Sequence, residues 1–175
     1  MARTAVSLIK PGQFIFLDSG TTNLEIARFL PANANISVAT NAPVIALAAM
    51  GKIGVSIIQI GGLIDTATCA AIGARAVRDI SALAFDLCFL GVCALSSKLG
   101  LCGFNLEDVE FKKVLITQSK VTAAAIASDK LETVAPFQIA KLNEIDHLIL
   151  EKDVDQKLIK RLKKPGLSIH RFSAA

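Results

Sequence analysis

One stretch near the N-terminus, residues 14–27, constrains the fold more than any other part of this chain. It opens with four apolar residues, Phe14-Ile15-Phe16-Leu17, which are typical of a buried β-strand. Apolar residues recur at helical spacing from Leu24 onwards, so the stretch predicts a strand, a tight turn and a helix. The turn between them consists of small polar residues and one glycine: Asp18, Ser19, Gly20, Thr21 and Thr22.

The turn from Asp18 to Thr22 has the chemistry of an anion-binding loop. Its hydroxyls, its unpaired backbone N–H groups and the positive end of the helix dipole all suit a phosphate or a carboxylate. Serine and threonine are also ordinary helix caps, so the local pattern leaves a binding loop and a structural cap equally open. The chain contains no Walker A and no Gly-x-Gly-x-x-Gly spacing, which disfavours nucleotides and favours simpler phosphorylated ligands.

The composition favours a parallel sheet that helices cover on both faces. The chain has 175 residues, 53% of them hydrophobic and only 19% charged, which suits one domain over residues 1–175 with a sizeable core. Strands alternate with helices, which predicts a three-layer, doubly wound α/β fold with a mostly parallel, Rossmann-like sheet. Basic residues are scattered or lie on an amphipathic segment at 157–164, so we expect no nucleic-acid surface on this chain itself.

The predicted elements follow from periodicity and turn residues. We expect an N-terminal helix at residues 2–9 without a cap, which suggests a missing preceding segment; an ordinary short helix is the alternative. A further helix begins near Pro43, and residues 91–105 are predicted to be irregular. The remaining helices are predicted at 22–30, 68–83, 106–119 and 154–162, with a short one near Ile139; the strands are predicted at 14–17, 36–39, 55–60, 86–90, 121–127, 147–150 and 167–170.

Polar or glycine-rich segments follow four of the predicted strands. In an open α/β sheet the carboxyl ends of the strands share one edge, where ligands bind. Each segment alone is more often a turn or cap, but four at one edge favour a pocket, with Lys130 as the cation for a phosphate. The segments are Asp18 to Thr22, Thr40-Asn41, Gly61-Gly62 and Ser128-Asp129-Lys130.

Neither a metal site nor a cofactor is indicated by the sequence. The four cysteines have no Cys-x-x-Cys spacing, and only His147 and His170 could join them as ligands. We find no signal peptide, which favours a reducing compartment, and we expect the cytoplasm. The longest uncharged run, residues 53–64, is too short to cross a membrane.

Several of these motifs occur in an order that resembles the effector-binding half of DeoR-type bacterial transcriptional regulators. The resemblance covers about residues 2–150 and implies the phosphosugar isomerase fold, shared with ribose-5-phosphate isomerases and CoA transferases. In such regulators this fold is attached to an N-terminal winged helix-turn-helix, which is absent from this sequence. The motifs are Asp18-Ser19-Gly20-Thr21-Thr22, Ala39-Thr40-Asn41-Ala42-Pro43, Ile60-Gly61-Gly62, Gly73, residues 100–110 with Lys112-Lys113, Ser128-Asp129-Lys130 and Glu144-Ile145-Asp146.

The same resemblance implies a sensor of a transcriptional repressor. Binding of a phosphorylated sugar is implied to change the affinity of the DNA-binding head for DNA, and sensors of this type are similar in forming dimers or tetramers. Two departures concern the ligand: Lys113 stands where an Arg is common, and Cys93-Ala94-Leu95 stands where a Gly- or Ser-containing turn is usual. The implied ligand contacts are Asp18, Ser19, Gly20, Thr21, Thr22, Thr40, Asn41, Gly61, Gly62 and Lys130, with Gly103 and Glu110 as possible pocket residues.

An isomerase or transferase on the same fold is the main alternative. Isomerisation needs a carboxylate base over the pocket, and residues 89–95, where the isomerases have an Asp-rich motif, contain none. Asp108 and Glu110 are interpreted as ordinary first-turn acids of a helix, and Glu107 is a weak candidate for a transferase nucleophile. We therefore expect no enzymatic activity. A pure oligomerisation module with a vestigial pocket is a third possibility.

Overall fold

The computed structural model describes residues 1–171, and its elements alternate as expected for an α/β chain. The helices are α1 (Ala2–Val6), α2 (Thr21–Phe29), α3 (Pro43–Ala49), α4 (Ala74–Ser81), α5 (Leu106–Thr117) and α6 (Gln156–Leu162), with 3-10 turns at Ser128–Lys130 and Leu142–Glu144. The strands are β1 (Phe14–Leu17), β2 (Ile36–Thr40), β3 (Val55–Gln59), β4 (Ile64–Asp65), β5 (Ala70–Ala71), β6 (Leu87–Leu90), β7 (Ala94–Ser96), β8 (Gly100–Gly103), β9 (Thr122–Ile126), β10 (Phe137–Ala140), β11 (His147–Leu150) and β12 (Ser168–Arg171).

A seven-stranded parallel sheet forms the centre of the fold, in the order β12-β11-β9-β6-β1-β2-β3. From β1 the chain moves outward through β2 to β3, and it then returns to β6 on the other side of β1. The direction of winding therefore reverses between β1 and β6. In open α/β sheets such a switch point opens a crevice outside the carboxyl ends of the strands.

Helices cover both faces of this sheet, which confirms the predicted three-layer α/β fold. On one face Ile15 and Leu17 pack with the buried residues of α1, α2 and α3. On the other face Phe16 belongs to the core that also contains the buried residues of α4, α5 and α6, and its ring lies 5.2 Å from the ring of Phe85 and 5.9 Å from that of Phe111. Successive side chains of a strand point to opposite faces, so one short apolar strand supplies both cores.

Three predictions of local structure were wrong. The helix predicted at 68–83 begins only at Ala74, because Gly73 has a φ of 83° and the chain before it forms the antiparallel pair β4–β5. Residues 91–105 are not irregular, and the segment around Ile139 is not helical. Instead, β7, β8 and β10 form a small antiparallel sheet.

No helix within residues 1–171 combines the length and the apolar character needed to cross a membrane.

Candidate functional site

A cavity of about 180 Å³ lies at the switch point, at the carboxyl ends of β1 and β6. Its walls come from the β1–α2 loop, the turn between β4 and β5, the loop after β6, helix α5 and the turn after β9. The residues that line it are Ser19, Gly20, Thr21, Thr22, Asn23, Ala67, Thr68, Leu90, Gly91, Val92, Cys93, Asp108, Lys112, Ala125 and Lys130.

The β1–α2 loop presents three hydroxyls at this cavity. Gly20 occupies the N-cap position of α2, with a φ of 140°, so the helix has no side chain at its cap. Within residues 1–171 the hydroxyls of Ser19, Thr21 and Thr22 form no hydrogen bond to the protein. The first N–H groups of a helix have no partner inside the helix. Hydroxyls without a protein hydrogen-bond partner and unpaired N–H groups, together at one helix end, suit an anion.

Lys130 adds a positive charge to the same cavity. Its Nζ donates to the carbonyl oxygen of Val92 at 2.9 Å, which holds the half-buried side chain against the loop after β6. An ammonium group carries three donors, so two further donors are available beyond this bond. A lysine in a turn is usually solvated, whereas this one is anchored at the cavity wall.

A buried ion cluster of Asp18, Lys112 and Asp108 lies directly below the loop. The Nζ of Lys112 is 3.2 Å from Asp18 Oδ2 and also bonds to Asp108 Oδ1. All three residues are buried, and the exposed fraction is at most 3% for each. The carboxylate of Asp18 accepts the N–H groups of Ser19 and Gly91, both at 2.8 Å. The cluster therefore ties together the β1–α2 loop, the loop after β6 and helix α5.

Burial and mutual attraction set the protonation of this cluster. Burial raises the pKa of Asp18, and the nearby Lys112 only partly offsets that effect. Burial alone would lower the pKa of Lys112, but the charges of Asp18 and Asp108 outweigh it, so the pKa of Lys112 is raised. With Lys112 charged, two ionised carboxylates would leave the cluster with one surplus negative charge.

A close backbone approach and a bridging side chain hold the carboxyl ends of β1 and β6 together below the cavity. A Cβ atom on Gly91 would lie 1.8 Å from the carbonyl oxygen of Ser19, so only glycine fits there. The Nδ2 of Asn23 donates to the carbonyl oxygens of Asp18 at 2.8 Å and Phe89 at 2.9 Å, which joins the ends of both strands.

The other polar segments expected at this edge do not line the cavity. Thr40 and Asn41 are fully buried, and Asn41 is bonded through its backbone and its side chain to Ala71 of β5. Within residues 1–171 its Oδ1 is the one buried side-chain nitrogen or oxygen atom that has no hydrogen-bond partner. Gly61 and Gly62 are exposed beyond β3, where Gly62 passes close to α4. These segments support the β4–β5 turn, which itself reaches the cavity.

Gly103 and Glu110 also lie away from the cavity. Gly103 packs under α5, where a Cβ atom would meet Val109 at 2.8 Å. Glu110 is exposed and bonded to Lys113 at 2.8 Å. Asp18 is likewise a buried support of the loop and not a lining residue.

Sequence reasoning named Glu110 of α5 as a possible pocket residue and missed Asp108 and Lys112, which line the cavity. Asp108 does lie in the first turn of the helix, but it is buried and ion-paired, unlike an ordinary first-turn acid. The i, i+4 spacing of Asp108 and Lys112 was a usable signal, because such residues share one helix face. Thr68 and Gly91 were also missed, and Cys93 was noted only as a departure from the family pattern, since no local pattern shows which loops reach the cavity. Within residues 1–171 no three His, Cys, Asp or Glu side chains are grouped to hold a metal.

Comparison with known proteins gives the family. A family model described as the DeoR C terminal sensor domain matches residues 1–152. The chain belongs to this family. A repressor of the aga operon in Escherichia coli O157:H7, named as putative, is 27% identical to this sensor domain over 169 residues, 97% of this chain and 63% of the relative. The transcriptional repressor GlcR of Bacillus subtilis is 30% identical over 169 residues, 97% of this chain and 65% of the relative.

The sensor domain thus spans less than two thirds of the length of these two regulators. Among solved structures it is similar to ribose 5-phosphate isomerase A from Methanocaldococcus jannaschii, with a TM-score of 0.51 and 15% identity. That match covers 74% of this chain and 51% of the isomerase. At this identity the likeness shows the fold alone, and it confirms the expected isomerase-type fold.

Proposed function

We propose that this domain is the effector sensor of a transcriptional repressor and that it binds a phosphorylated sugar in the cavity at the switch point. The observation that carries the proposal is the uncapped start of α2, where the hydroxyls of Ser19, Thr21 and Thr22 line one cavity with Lys130. A phosphate offers several acceptor oxygens and negative charge to such donors. The cavity of about 180 Å³ is smaller than the roughly 300–1,000 Å³ of drug-sized sites, which favours a small ligand.

The route from the ligand to a DNA-binding head runs, in this proposal, through α1 and α2. Thr21 and Thr22 also line a second cavity, together with Met1, Ala2 and Arg3 of the N-terminal segment. A ligand at the start of α2 would therefore change the surroundings of α1. The ligand would shift the affinity for DNA by no more than the difference between its own affinities for the two arrangements of the regulator.

The remaining parts of the proposal concern partners and location. Several apolar side chains near β3 and α3 are exposed, which supports self-association into a homo-oligomer. DNA would be contacted only through a head outside this chain, and such a regulator would work in the cytoplasm. The exposed residues are Leu47, Met50, Ile53 and Leu63.

An isomerase is the second candidate, and one observation favours it. Asp108 places a carboxylate at the cavity wall beside an ammonium group, although residues 89–95 contain no carboxylate. Its Oδ1 is bonded to Lys112, which makes that oxygen a poor base. The relatives are named as regulators, so we expect no turnover of pentose or hexose phosphates. Turnover abolished by Asp108→Asn would establish the enzyme instead.

The test is calorimetric titration of the chain with sugar phosphates, the matching free sugars and inorganic phosphate. We expect one phosphorylated sugar to bind, and we expect Thr21→Val and Lys130→Met each to weaken it by about 1–3 kcal/mol, the cost of a lost hydrogen bond to a charged group. Thr117→Val is the matched control, because that hydroxyl is exposed and bonds within α5. Unchanged affinity in both cavity variants would remove the assignment, and the uncapped loop would then be purely structural.

A further inference from the structure

The wall that α5 contributes to the cavity carries one carboxylate more than Lys112 needs for neutrality. Asp18 alone would neutralise Lys112, and it also receives two backbone N–H groups. Asp108 adds a second buried carboxylate to the same ammonium. Burying an uncompensated charge is costly, and a neutral side chain at position 108 would avoid that cost. A surplus carboxylate at a cavity wall therefore calls for a partner from outside the protein.

The hydrogen bonds of Asp108 leave one oxygen available for such a partner. Its Oδ1 is bonded to Lys112, while within residues 1–171 no donor bonds to its Oδ2. An ionised carboxylate is only an acceptor, so the matching group must be a donor. Lys112 is complementary to it. Its ammonium has three donors, of which two point to the carboxylates of Asp18 and Asp108.

The acceptor Asp108 and the donor Lys112, side by side, match a hydroxyl group. A hydroxyl can donate to the carboxylate and accept from the ammonium. A phosphate cannot satisfy Asp108, because at neutral pH its oxygens are mainly acceptors and carry negative charge. Asp108 and Lys112 line the same cavity as the hydroxyls of the β1–α2 loop. A ligand with a phosphate on that loop would therefore bring its other groups against α5.

We propose that Asp108 determines specificity by accepting, through Oδ2, a hydrogen bond from a hydroxyl group of the bound phosphorylated sugar. This inference rests on the proposed function and adds to it the residue that recognises the non-phosphate part of the ligand. The site then selects polyhydroxylated phosphates over phosphates that carry no hydroxyl.

The test compares two kinds of ligand on the same variants. Ethyl phosphate has a phosphate but no sugar hydroxyl, and it is titrated beside ribose 5-phosphate, fructose 6-phosphate and glucose 6-phosphate. For the sugar phosphate that binds the wild type best, we expect Asp108→Asn to reduce affinity about tenfold to hundredfold. Ethyl phosphate should bind the wild type and this variant within about twofold, because it reaches only the loop. Glu110→Gln is the matched control: it removes the same charge from the exposed face of α5.

A measurement on the wild type removes any dependence on how the variant folds. Monodeoxy analogues of the sugar phosphate that binds best are titrated into the wild type. One analogue should bind more weakly than the parent compound, by the same factor by which Asp108→Asn weakens binding of the parent. That analogue should bind Asp108→Asn and the wild type with equal affinity, because the deoxy change and the substitution each remove the same hydrogen bond.

The outcomes separate the two proposals. If the wild type binds none of the sugar phosphates, the proposed function fails and this inference fails with it. If the wild type binds one but Asp108→Asn binds it equally well, only this inference is overturned. If Asp108→Asn lost affinity for ethyl phosphate and for the sugar phosphate by the same factor, this inference would also be overturned, because Asp108 would then act only by positioning the loop.

Discussion

Replacement of Lys112 by methionine is the sharpest test of the buried ion cluster. The change keeps a long apolar stem and removes only the ammonium group. Asp18 and Asp108 would remain buried below the cavity without their shared cation. At neutral pH the variant must either hold two buried carboxylates side by side or protonate them, and both options cost stability.

The magnitude follows from the burial of the cluster. Removing one partner of a buried ion pair costs about 3–5 kcal/mol, because an uncompensated charge remains. Domains are stable by about 5–15 kcal/mol in total, so the loss is a large fraction. For a domain of this size, 1 kcal/mol corresponds to about 2–4 °C in Tm, so Tm should fall by about 6–20 °C.

The assay is urea unfolding followed by circular dichroism, repeated between pH 7 and about pH 5. Burial raises the pKa of Asp18 above its unfolded value of 3.8, and without Lys112 only the hydrogen bond from the N–H of Gly91 opposes that effect. A carboxyl whose pKa is raised on folding stabilises the protonated native state, so its contribution is lost as pH rises through the folded pKa. The deficit of the variant relative to the wild type should therefore shrink on acidification.

Lys113→Met is the matched control for this experiment. Lys113 is the next residue on α5, and its ion pair with Glu110 is exposed, with side chains 46% and 55% accessible. Exposed pairs contribute about 0–1 kcal/mol, so the control should lose no more than that. A Lys112→Met variant as stable as the control at pH 7, or a deficit that does not change with pH, would refute the buried cluster.

Two further predictions concern the packing at the cavity and the cysteines. Gly91→Ala places a methyl group 1.8 Å from a backbone oxygen and should cost about 1–3 kcal/mol in urea unfolding, whereas Gly61→Ala meets nothing within 4 Å; equal stability of the two variants would contradict this geometry. Burial raises the pKa of the Cys88 thiol to about 11. A thiol reagent should label two cysteines in the native chain and four in urea, and labelling of a buried thiol before unfolding would contradict the core assignment; the two exposed thiols are Cys69 and Cys93.

Local pattern determined the parts of this protein that depend on neighbours in sequence. The apolar run before Asp18 and the helical spacing after Thr22 identified the β1–α2 unit, and alternation of strands and helices identified the α/β fold. The loop between them was also correctly placed at the carboxyl end of a strand. These features follow from side-chain periodicity and turn chemistry, which act over a few residues.

Tertiary structure alone decided which groups meet at the cavity. Asp18 and Lys112 are 94 positions apart, and they pair because β1 and α5 pack against each other, with the rings of Phe16 and Phe111 5.9 Å apart. Thr40 and Asn41 also lie at the carboxyl end of a strand, yet the β4–β5 pair covers them, and the turn of that pair reaches the cavity in their place. The small antiparallel sheet around Ile139 likewise depends on partners far along the chain. Strand pairing and loop direction are set by packing between distant segments, and no local pattern carries that information.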